Sequence, residues 1–156
     1  MINLPEEVTV ALKDPETIKT LTTTDTEGNP HTVYKSSLTV LEDGRLGYLE
    51  LIERSRTYKN ILRNHWDKKN VAVSIFAPKT GLAYQIKGIP VRYILEGPIW
   101  DTFRDQCWSV LPDAEPAGVW LIEPEDVLNE SYPVRVEEEG KRMLQYKFWN
   151  SYPRKK

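Results

Sequence analysis

The sequence predicts a mainly β protein, an antiparallel barrel with helices at its rim, and three observations lead to this fold class. Strand-like segments dominate the chain. Turn sequences at 25–30 (DTEGNP) and 42–44 (EDG) join successive segments, which is typical of hairpins in antiparallel sheets. The segment 80–96 is long for one strand, and Gly88 and Pro90 inside it predict a bend or bulge. A curved strand suits a barrel better than a doubly wound sheet.

The first part of the chain predicts three strands. Residues 4–13 mix apolar and charged side chains and fit either a short helix or an edge strand. The β-branched segment 18–24 predicts a first strand, and 31–40 predicts a second strand that forms a hairpin with it. Segment 45–52 alternates apolar and polar residues, so we expect a third strand with one apolar, buried face.

The stretch 53–66 predicts a helix that begins after Ser55, a favourable N-cap, and ends near Asn64 or Trp66. Its start carries four cations around two hydroxyl side chains: Arg54, Arg56, Lys59 and Arg63 around Ser55 and Thr57. Unpaired backbone amides and the positive end of the helix dipole point at the same place, which favours an anion site. We interpret this helix start as a phosphate site; the alternative is an ordinary solvated basic face.

The second part of the chain predicts further strands and a second helix. Segment 70–76 is short and β-branched and predicts a fourth strand. Apolar residues at helical spacing in 99–110 predict a helix. Segment 119–122 predicts a last core strand that Glu123-Pro124 stops, and the tail from Val134 stays open. The expected total is about six to seven strands with two or three peripheral helices.

Length and composition limit the class of protein. The 156 residues predict a single domain, 1–156, large enough to bury a core. With 21 Lys+Arg against 23 Asp+Glu, the formal net charge of -2 provides no overall field for nucleic acid or an anionic membrane. The single cysteine, Cys107, excludes an internal disulfide. The N-terminal segment has no basic leader, and no stretch reaches the roughly 20 apolar residues of a membrane helix. We therefore expect a cytoplasmic protein that binds neither nucleic acid nor membrane.

The common catalytic motifs are missing from the sequence. His31 and His65 stand far apart without further ligands at metal-binding spacing, so a metal site has little support. No Gly-x-Ser-x-Gly elbow, P-loop or Gly-x-Gly-x-x-Gly turn occurs. Cys107 lies among apolar residues, and we interpret it as a packing residue. Glu123 and Asp126 do not define an acid/base pair. No catalytic residue is assigned.

Polar side chains in the second predicted strand indicate a possible binding wall. Tyr34, Lys35, Ser36 and Ser37 fall in the middle of segment 31–40. They either line a site or belong to a half-exposed strand. A cofactor that carries both a phosphate and a flat ring would use this wall together with the basic helix start. Such a cofactor supplies the redox chemistry itself, and the protein binds and orients it.

The order of these segments resembles the FMN-binding split-barrel superfamily, which includes pyridoxamine 5'-phosphate oxidase-like proteins. The matching segments are the turn EGNPH, the hairpin SSLTVLEDGRLGYLEL, the helix start SRTYKN, and the strands NVAVSIF and YQIKG. The resemblance covers about residues 16–130. It looks strongest to the small FMN-binding proteins of sulfate-reducing bacteria. It implies an antiparallel split β-barrel that binds FMN.

The resemblance also implies where the phosphate of FMN binds. In these proteins a basic residue followed by Thr holds the phosphate at the start of the helix after the third strand, and Arg56-Thr57 occupies that place here. An arginine keeps the charge and adds a bidentate fork. Lys59 and Arg54 would support the contact, and Ser55 completes the helix start.

The remaining site residues are implied in the same way. The polar residues of the second strand bind phosphate, ribityl or ring, which corresponds to Tyr34, Lys35, Ser36 and Ser37. Glu50 and Leu51 fall where backbone groups meet the isoalloxazine, Gln85 is a partner for the pyrimidine edge, and Trp108 either reaches the ring or packs in the core. The family builds its site between two subunits, which implies a homodimer with two FMN.

The chain departs from true pyridoxamine phosphate oxidases at its end. The short tail YPRKK lacks their substrate-binding arginine motif, so vitamin B6 oxidation is not expected. The leading expectation is an FMN-binding oxidoreductase or electron-transfer protein. Other branches of the superfamily bind haem or deazaflavin, or are regulators. The alternatives are therefore a non-enzymatic module that binds haem or another ligand, and a structural dimer without a cofactor.

Overall fold

The structure, a computed structural model, describes residues 1–142. The tail whose structure the sequence left open starts at Val134; residues 134–142 belong to the last helix, and the rest, with the YPRKK end, lies outside the described residues. In chain order the elements are α1 (Glu6–Lys13), β1 (Ile18–Thr24), β2 (Pro30–Tyr34), β3 (Thr39–Val40), β4 (Leu46–Glu50), α2 (Arg56–Trp66), β5 (Val71–Ala77), β6 (Leu82–Ile94), α3 (Pro98–Val110), β7 (Gly118–Asn129) and α4 (Tyr132–Arg142). The described part thus holds one helix more than the largest number expected.

The seven strands form one sheet in the order β2-β1-β5-β6-β7-β4-β3, and each paired neighbour is antiparallel. In a flat sheet its two edge strands would lie roughly 29 Å apart, at ~4.8 Å per strand spacing. Yet the chain from Tyr34 to Thr39, which joins those edges, can span at most roughly 18 Å. The sheet must therefore curl into a barrel that stays open between β2 and β3, which confirms the predicted mainly β barrel.

The interior of the barrel is an apolar core. Its fully buried members include Leu21, Tyr48, Ile86, Trp120 and Ile122, which come from four strands, β1, β4, β6 and β7. Helix α1 settles the open alternative at residues 4–13 in favour of a helix, because its buried side chains join the same core.

A second apolar cluster lies outside the barrel, between β4, β7 and α3. Leu49, Phe103, Val119 and Leu121 form it. A Cβ atom on Gly47 would lie 3.1 Å from the ring of Phe103, so the glycine lets α3 pack closely. All five residues of β4 are consequently buried, and the prediction of one buried face for this strand was wrong. Both faces are covered, one by the core and one by α3.

Helix α2 has an unusually polar buried face. Ile61 is fully buried, but Asn60 and Asn64 beside it are also buried. The Asn60 amide donates to Thr23 Oγ1 at 3.2 Å, and the Asn64 amide donates to Thr24 Oγ1 at 3.1 Å. These bonds satisfy the buried amides and fix α2 against β1, which sets the position of the helix start.

Two strand predictions need correction. The single strand expected at 31–40 is two short strands, because residues 35–38 make a turn. The last strand does not stop at Pro124 but continues to Asn129. Pro124 pairs with Gly88 where the β6–β7 register shifts, and a bulge tolerates the missing N–H of proline. The predicted bulge in 80–96 is confirmed at that same register shift.

Candidate functional site

A cavity of about 600 Å³ opens where the β2–β3 turn, the end of β4 and helix α3 meet. Six residues predicted for the site line it: Tyr34, Lys35, Ser36, Ser37, Glu50 and Leu51. They come from two segments that the curled sheet brings together. The volume lies within the roughly 300–1,000 Å³ of typical ligand pockets.

The polar wall of the cavity is a turn and not the middle of a strand, which corrects the prediction for residues 34–37. Tyr34 ends β2, and the backbone N–H of Lys35 donates to the Lys19 carbonyl at 2.9 Å. The N–H of Leu38 then donates to the Lys35 carbonyl at 3.1 Å and closes the turn, with Leu38 fully buried. Ser36 and Ser37 lie in this turn, and both line the cavity.

Ser37 connects the turn to β4. The backbone N–H of Leu49 donates to Ser37 Oγ at 3.0 Å. This bond gives the end of β4 a partner on the side where β3 is only two residues long. It holds the two walls of the cavity at a fixed separation.

A buried ion pair lies at the side of the cavity. Lys35 Nζ is 3.2 Å from Glu50 Oε2, and Glu50 is only 2% exposed. The Tyr48 hydroxyl donates to the same oxygen at 3.4 Å, and the Ile52 N–H donates to Oε1 at 3.4 Å. Burial, reinforced by the negative charge of Glu50, raises the pKa of Tyr48 well above its ordinary value, so its hydroxyl stays protonated.

The start of α2 is built as predicted from sequence. Ser55 is the N-cap, and its Oγ accepts a hydrogen bond from the Tyr58 N–H at 2.9 Å. Among residues 1–142 the backbone amides of Arg56 and Thr57 find no acceptor, so two donors remain at the helix start.

The cations around this helix start are exposed, whereas Thr57 is buried. Arg54, Arg56 and Lys59 are exposed, and the ion pairs between described residues include none of them. The cavity reaches Ile52 but not these residues, so the helix start lies three residues beyond its lining. The structure places a cationic rim next to the cavity and not inside it.

Two further predicted residues lie away from the cavity within this single chain. Gln85 lies on the outer face of the sheet, in a shallow depression of about 300 Å³. The register aligns it there through Ser74 and Thr20 with Tyr34 on β2. Trp108 does not line the cavity; its Nε1 donates to the Ala114 carbonyl at 3.0 Å, and the Arg104 guanidinium lies 5.1 Å from the centre of its ring.

The opposite wall of the cavity was missed by sequence reasoning. It consists of apolar and weakly polar side chains, chiefly Phe103, Gln106, Cys107, Val110 and Leu111 of α3 and the residue after it. The helical spacing of Phe103, Cys107 and Val110 was recognised in the sequence as a sign of a helix, and Cys107 was interpreted as a packing residue. Phe103 does pack in the second apolar cluster, but the same stripe also faces the cavity.

The donor set fits a flat, partly apolar ring with polar groups along one edge. The α3 wall is apolar, and the turn and β4 supply hydroxyls, an ammonium group and backbone groups. Haem would need an axial ligand, and neither histidine lines the cavity. His65 Nδ1 lies 2.7 Å from the Pro90 carbonyl at the far end of α2. The cavity residues therefore fit FMN, whereas within this chain they offer haem no histidine ligand.

The described residues bring together no group of three or more His, Cys, Asp or Glu side chains that could hold a metal ion. Within residues 1–142, none of the helices has the length and apolar character required to span a membrane.

Solved structures with the same fold include a candidate pyridoxamine 5'-phosphate oxidase from Lactobacillus delbrueckii, 26% identical over 81% of this chain and 93% of its own, with a TM-score of 0.60. An FMN-binding protein from Syntrophomonas wolfei is 13% identical over 72% of this chain and 76% of its own, with a TM-score of 0.60. The haem storage protein HutZ from Vibrio cholerae is 16% identical over 82% of this chain and 95% of its own, with a TM-score of 0.57. No protein-family model and no curated protein sequence matches the chain.

These likenesses agree with the strand order and the curled, open barrel described above. The chain therefore has the split-barrel fold of the pyridoxamine 5'-phosphate oxidase-like proteins, and the resemblance seen in the sequence is confirmed at the level of the fold. The similar structures include proteins named for FMN and for haem, so the fold alone does not choose the ligand.

Proposed function

We infer that this chain is an FMN-binding flavoprotein that acts in electron or hydride transfer. The observation that carries the proposal is the cavity itself, which joins six residues expected to contact the cofactor to an apolar wall on α3. When bound, FMN would supply the redox chemistry. The chain would bind and orient it, and no residue is needed as an acid or base.

The start of α2 would hold the phosphate. Two free amides, the positive end of the helix dipole and the cations Arg54, Arg56 and Lys59 lie together there, next to the cavity rim at Ile52. Arg56 can offer a bidentate fork to the phosphate oxygens. Thr57 is buried, so its contribution would come through its backbone N–H.

The cavity would hold the isoalloxazine. The backbone at Glu50 and Leu51 and the hydroxyls of Ser36 and Ser37 would face its polar edge. Phe103 and Val110 on α3 would cover the apolar edge and reduce the access of water.

A homodimer is part of the proposal. The outer face of the sheet carries large apolar side chains that one chain leaves in solvent: Ile18, Phe76 and Leu128 are 46%, 43% and 37% exposed. Gln85 lies on this same face. A second chain packed there would cover these side chains, and Gln85 could then contact a cofactor held by the partner. Trp108 would contribute to the site only after its bond to Ala114 breaks.

The direct test is a visible spectrum of the purified protein, followed by fluorescence titration with FMN. We expect flavin absorption bands at about 370 and about 450 nm. If FMN is lost during purification, we expect saturable quenching of the fluorescence of added FMN. A protein that shows neither, with its fold intact by circular dichroism, would contradict the proposal.

A second candidate function is haem binding without catalysis. It is supported by the likeness to HutZ, which is named as a haem storage protein. A Soret band in the purified protein would select it. Loss of that band in Tyr34→Phe or in Cys107→Ala would identify the residue that binds the iron. The chain's own histidines give it less support, since neither lines the cavity.

The wider setting follows the same proposal. We propose that residues 1–156 work as one flavin-binding domain in the cytoplasm, with a small molecule or an electron-transfer protein as redox partner. Vitamin B6 oxidation is not proposed. The tail sequence on which that exclusion depends lies beyond residue 142, outside the described residues.

A further inference from the structure

The Lys35–Glu50 pair differs from all other ion pairs between residues 1–142. Each of the others has both side chains at least 25% exposed. Here the side chains of Lys35 and Glu50 are 14% and 3% exposed, and both residues line the cavity. The chain therefore removes one pair of charges from water at the place where we expect the cofactor.

Stability does not explain this burial. The cost of desolvating two charges offsets much of their attraction, and apolar replacements of buried pairs are often equally stable. The neighbouring residues instead hold the pair in one arrangement. The Tyr48 hydroxyl and the Ile52 N–H bind the carboxylate, while Lys35 Nζ lies 4.5 Å from the centre of the Tyr48 ring. The ammonium group is therefore held at a fixed position beside the cavity.

We propose that Lys35 and Glu50 form a balanced charge pair whose opposite effects on the reduction potential of a flavin in this cavity largely cancel. Lys35 is the more exposed member of the pair, and Glu50 is its positioning residue. This inference rests on the proposed function. The proposed function says where the flavin binds. The inference adds that two side chains act on its reduction potential.

The physical reason is the charge that a flavin ring gains. Two-electron reduction adds two electrons and one proton to the neutral ring, which then carries one negative charge unless a second proton follows. A nearby cation stabilises that charge and raises the potential, and a nearby carboxylate lowers it. With both present, the two effects largely cancel, and the potential stays close to that of a site without either charge.

The test measures the midpoint potential of bound FMN by equilibration with redox dyes during reduction with dithionite. Lys35→Met removes the cation and should lower the potential; Glu50→Gln leaves the ammonium group unbalanced and should raise it. We expect each variant to change the ratio of the affinity for reduced FMN to the affinity for oxidised FMN by about tenfold. For a two-electron couple this corresponds to a shift of about 30 mV in the midpoint potential. The double variant K35M/E50Q is neutral again and should return to within about threefold of the wild-type ratio.

The control is Lys141→Met, which removes an exposed lysine on α4 whose partner is Glu137. It should leave the potential unchanged. Shifts of the same sign in the two single variants, or a double variant that stays far from wild type, would overturn the inference. If Glu50→Gln does not fold, Lys35→Met and the double variant still decide it, because only a charge role predicts that the second change restores the potential. A wild-type protein that binds no FMN would instead overturn the proposed function, and this inference with it.

Discussion

Two cationic regions lie side by side in this molecule, and they are built in opposite ways. At the start of α2, Arg54, Arg56 and Lys59 stand in solvent around free backbone amides. At the cavity, Lys35 is mostly covered and tied to Glu50. An exposed cation is stable without a bound anion, because water solvates its charge. A covered one needs a counter-charge at all times, so its charge acts on whatever else enters the cavity.

The comparison suggests a division of labour. The helix start is suited to bind a phosphate tightly, with an affinity that falls as the salt concentration rises. The buried pair is suited to influence a ring without a large net charge. Four predictions test this contrast, beginning with the largest expected effect.

The first prediction concerns folding stability without a ligand. Glu50→Ala leaves Lys35 without its counter-charge, and the free energy of unfolding should fall by about 3 kcal/mol. Arg56→Ala, the matched change at the helix start, should change it by less than about 0.5 kcal/mol because that side chain is exposed. Urea denaturation of both variants gives the comparison. Equal losses in the two variants would mean that the regions do not differ as described.

The second prediction concerns the affinity for FMN. Arg56→Ala should weaken binding by about 1.5–3 kcal/mol, the range for a charge-assisted hydrogen bond. Arg63→Ala is the control: the sequence grouped Arg63 with the cations of the helix start, but the structure places this arginine in the last turn of α2, about two turns beyond Arg56. Fluorescence titration measures both. An Arg56→Ala variant that binds as tightly as wild type would remove the phosphate site from the account.

The third prediction concerns the helix cap. Ser55→Ala removes the acceptor of the Tyr58 N–H and should cost about 1 kcal/mol of stability. Ser55→Thr keeps a hydroxyl at the cap and should recover most of that loss. Thermal unfolding followed by circular dichroism distinguishes the two. If both variants were equally destabilised, the loss would come from packing and not from the cap.

The smallest effect is the response to salt. Raising the salt concentration from about 0.05 to 0.5 M shortens the screening length, so the contribution of the exposed Arg56 to FMN binding should shrink. The stability lost in Glu50→Ala should change much less, because a buried pair is poorly screened. Repeating the FMN titration of Arg56→Ala and the urea denaturation of Glu50→Ala at both salt concentrations checks this. A salt response of the same size in both would contradict the contrast.

The helix start could be predicted from sequence because its signals are local. A serine cap, a cluster of cations and an apolar helical stripe all occur within 53–66, and the structure has the cap and the helix where they were expected. The first strand and the bulge at Gly88 were predicted for the same reason.

The cavity depends on contacts between distant segments, and here sequence reasoning was less complete. The turn at 35–38 contains no glycine or proline, and its β-branched and aromatic neighbours hid it within one apparent strand. Pro124 was taken as the end of a strand because the sequence does not show that Gly88 lies opposite it. The stripe on α3 was visible, but nothing local indicates that it faces Lys35 and Glu50 across a cavity.

Gln85 and Trp108 illustrate a different limit. Both were predicted from the resemblance alone, and in one chain neither faces the cavity. Whether Gln85 contacts a cofactor depends on a second chain against the outer face of the sheet. Its role therefore stays a prediction.

The most direct test of the central claim is a crystal structure of the protein with FMN. We predict that the phosphate accepts hydrogen bonds of about 2.7–3.2 Å from the amides of Arg56 and Thr57, with the isoalloxazine in the cavity beside Glu50. An FMN whose phosphate lies away from the start of α2, or whose ring lies outside that cavity, would contradict the account.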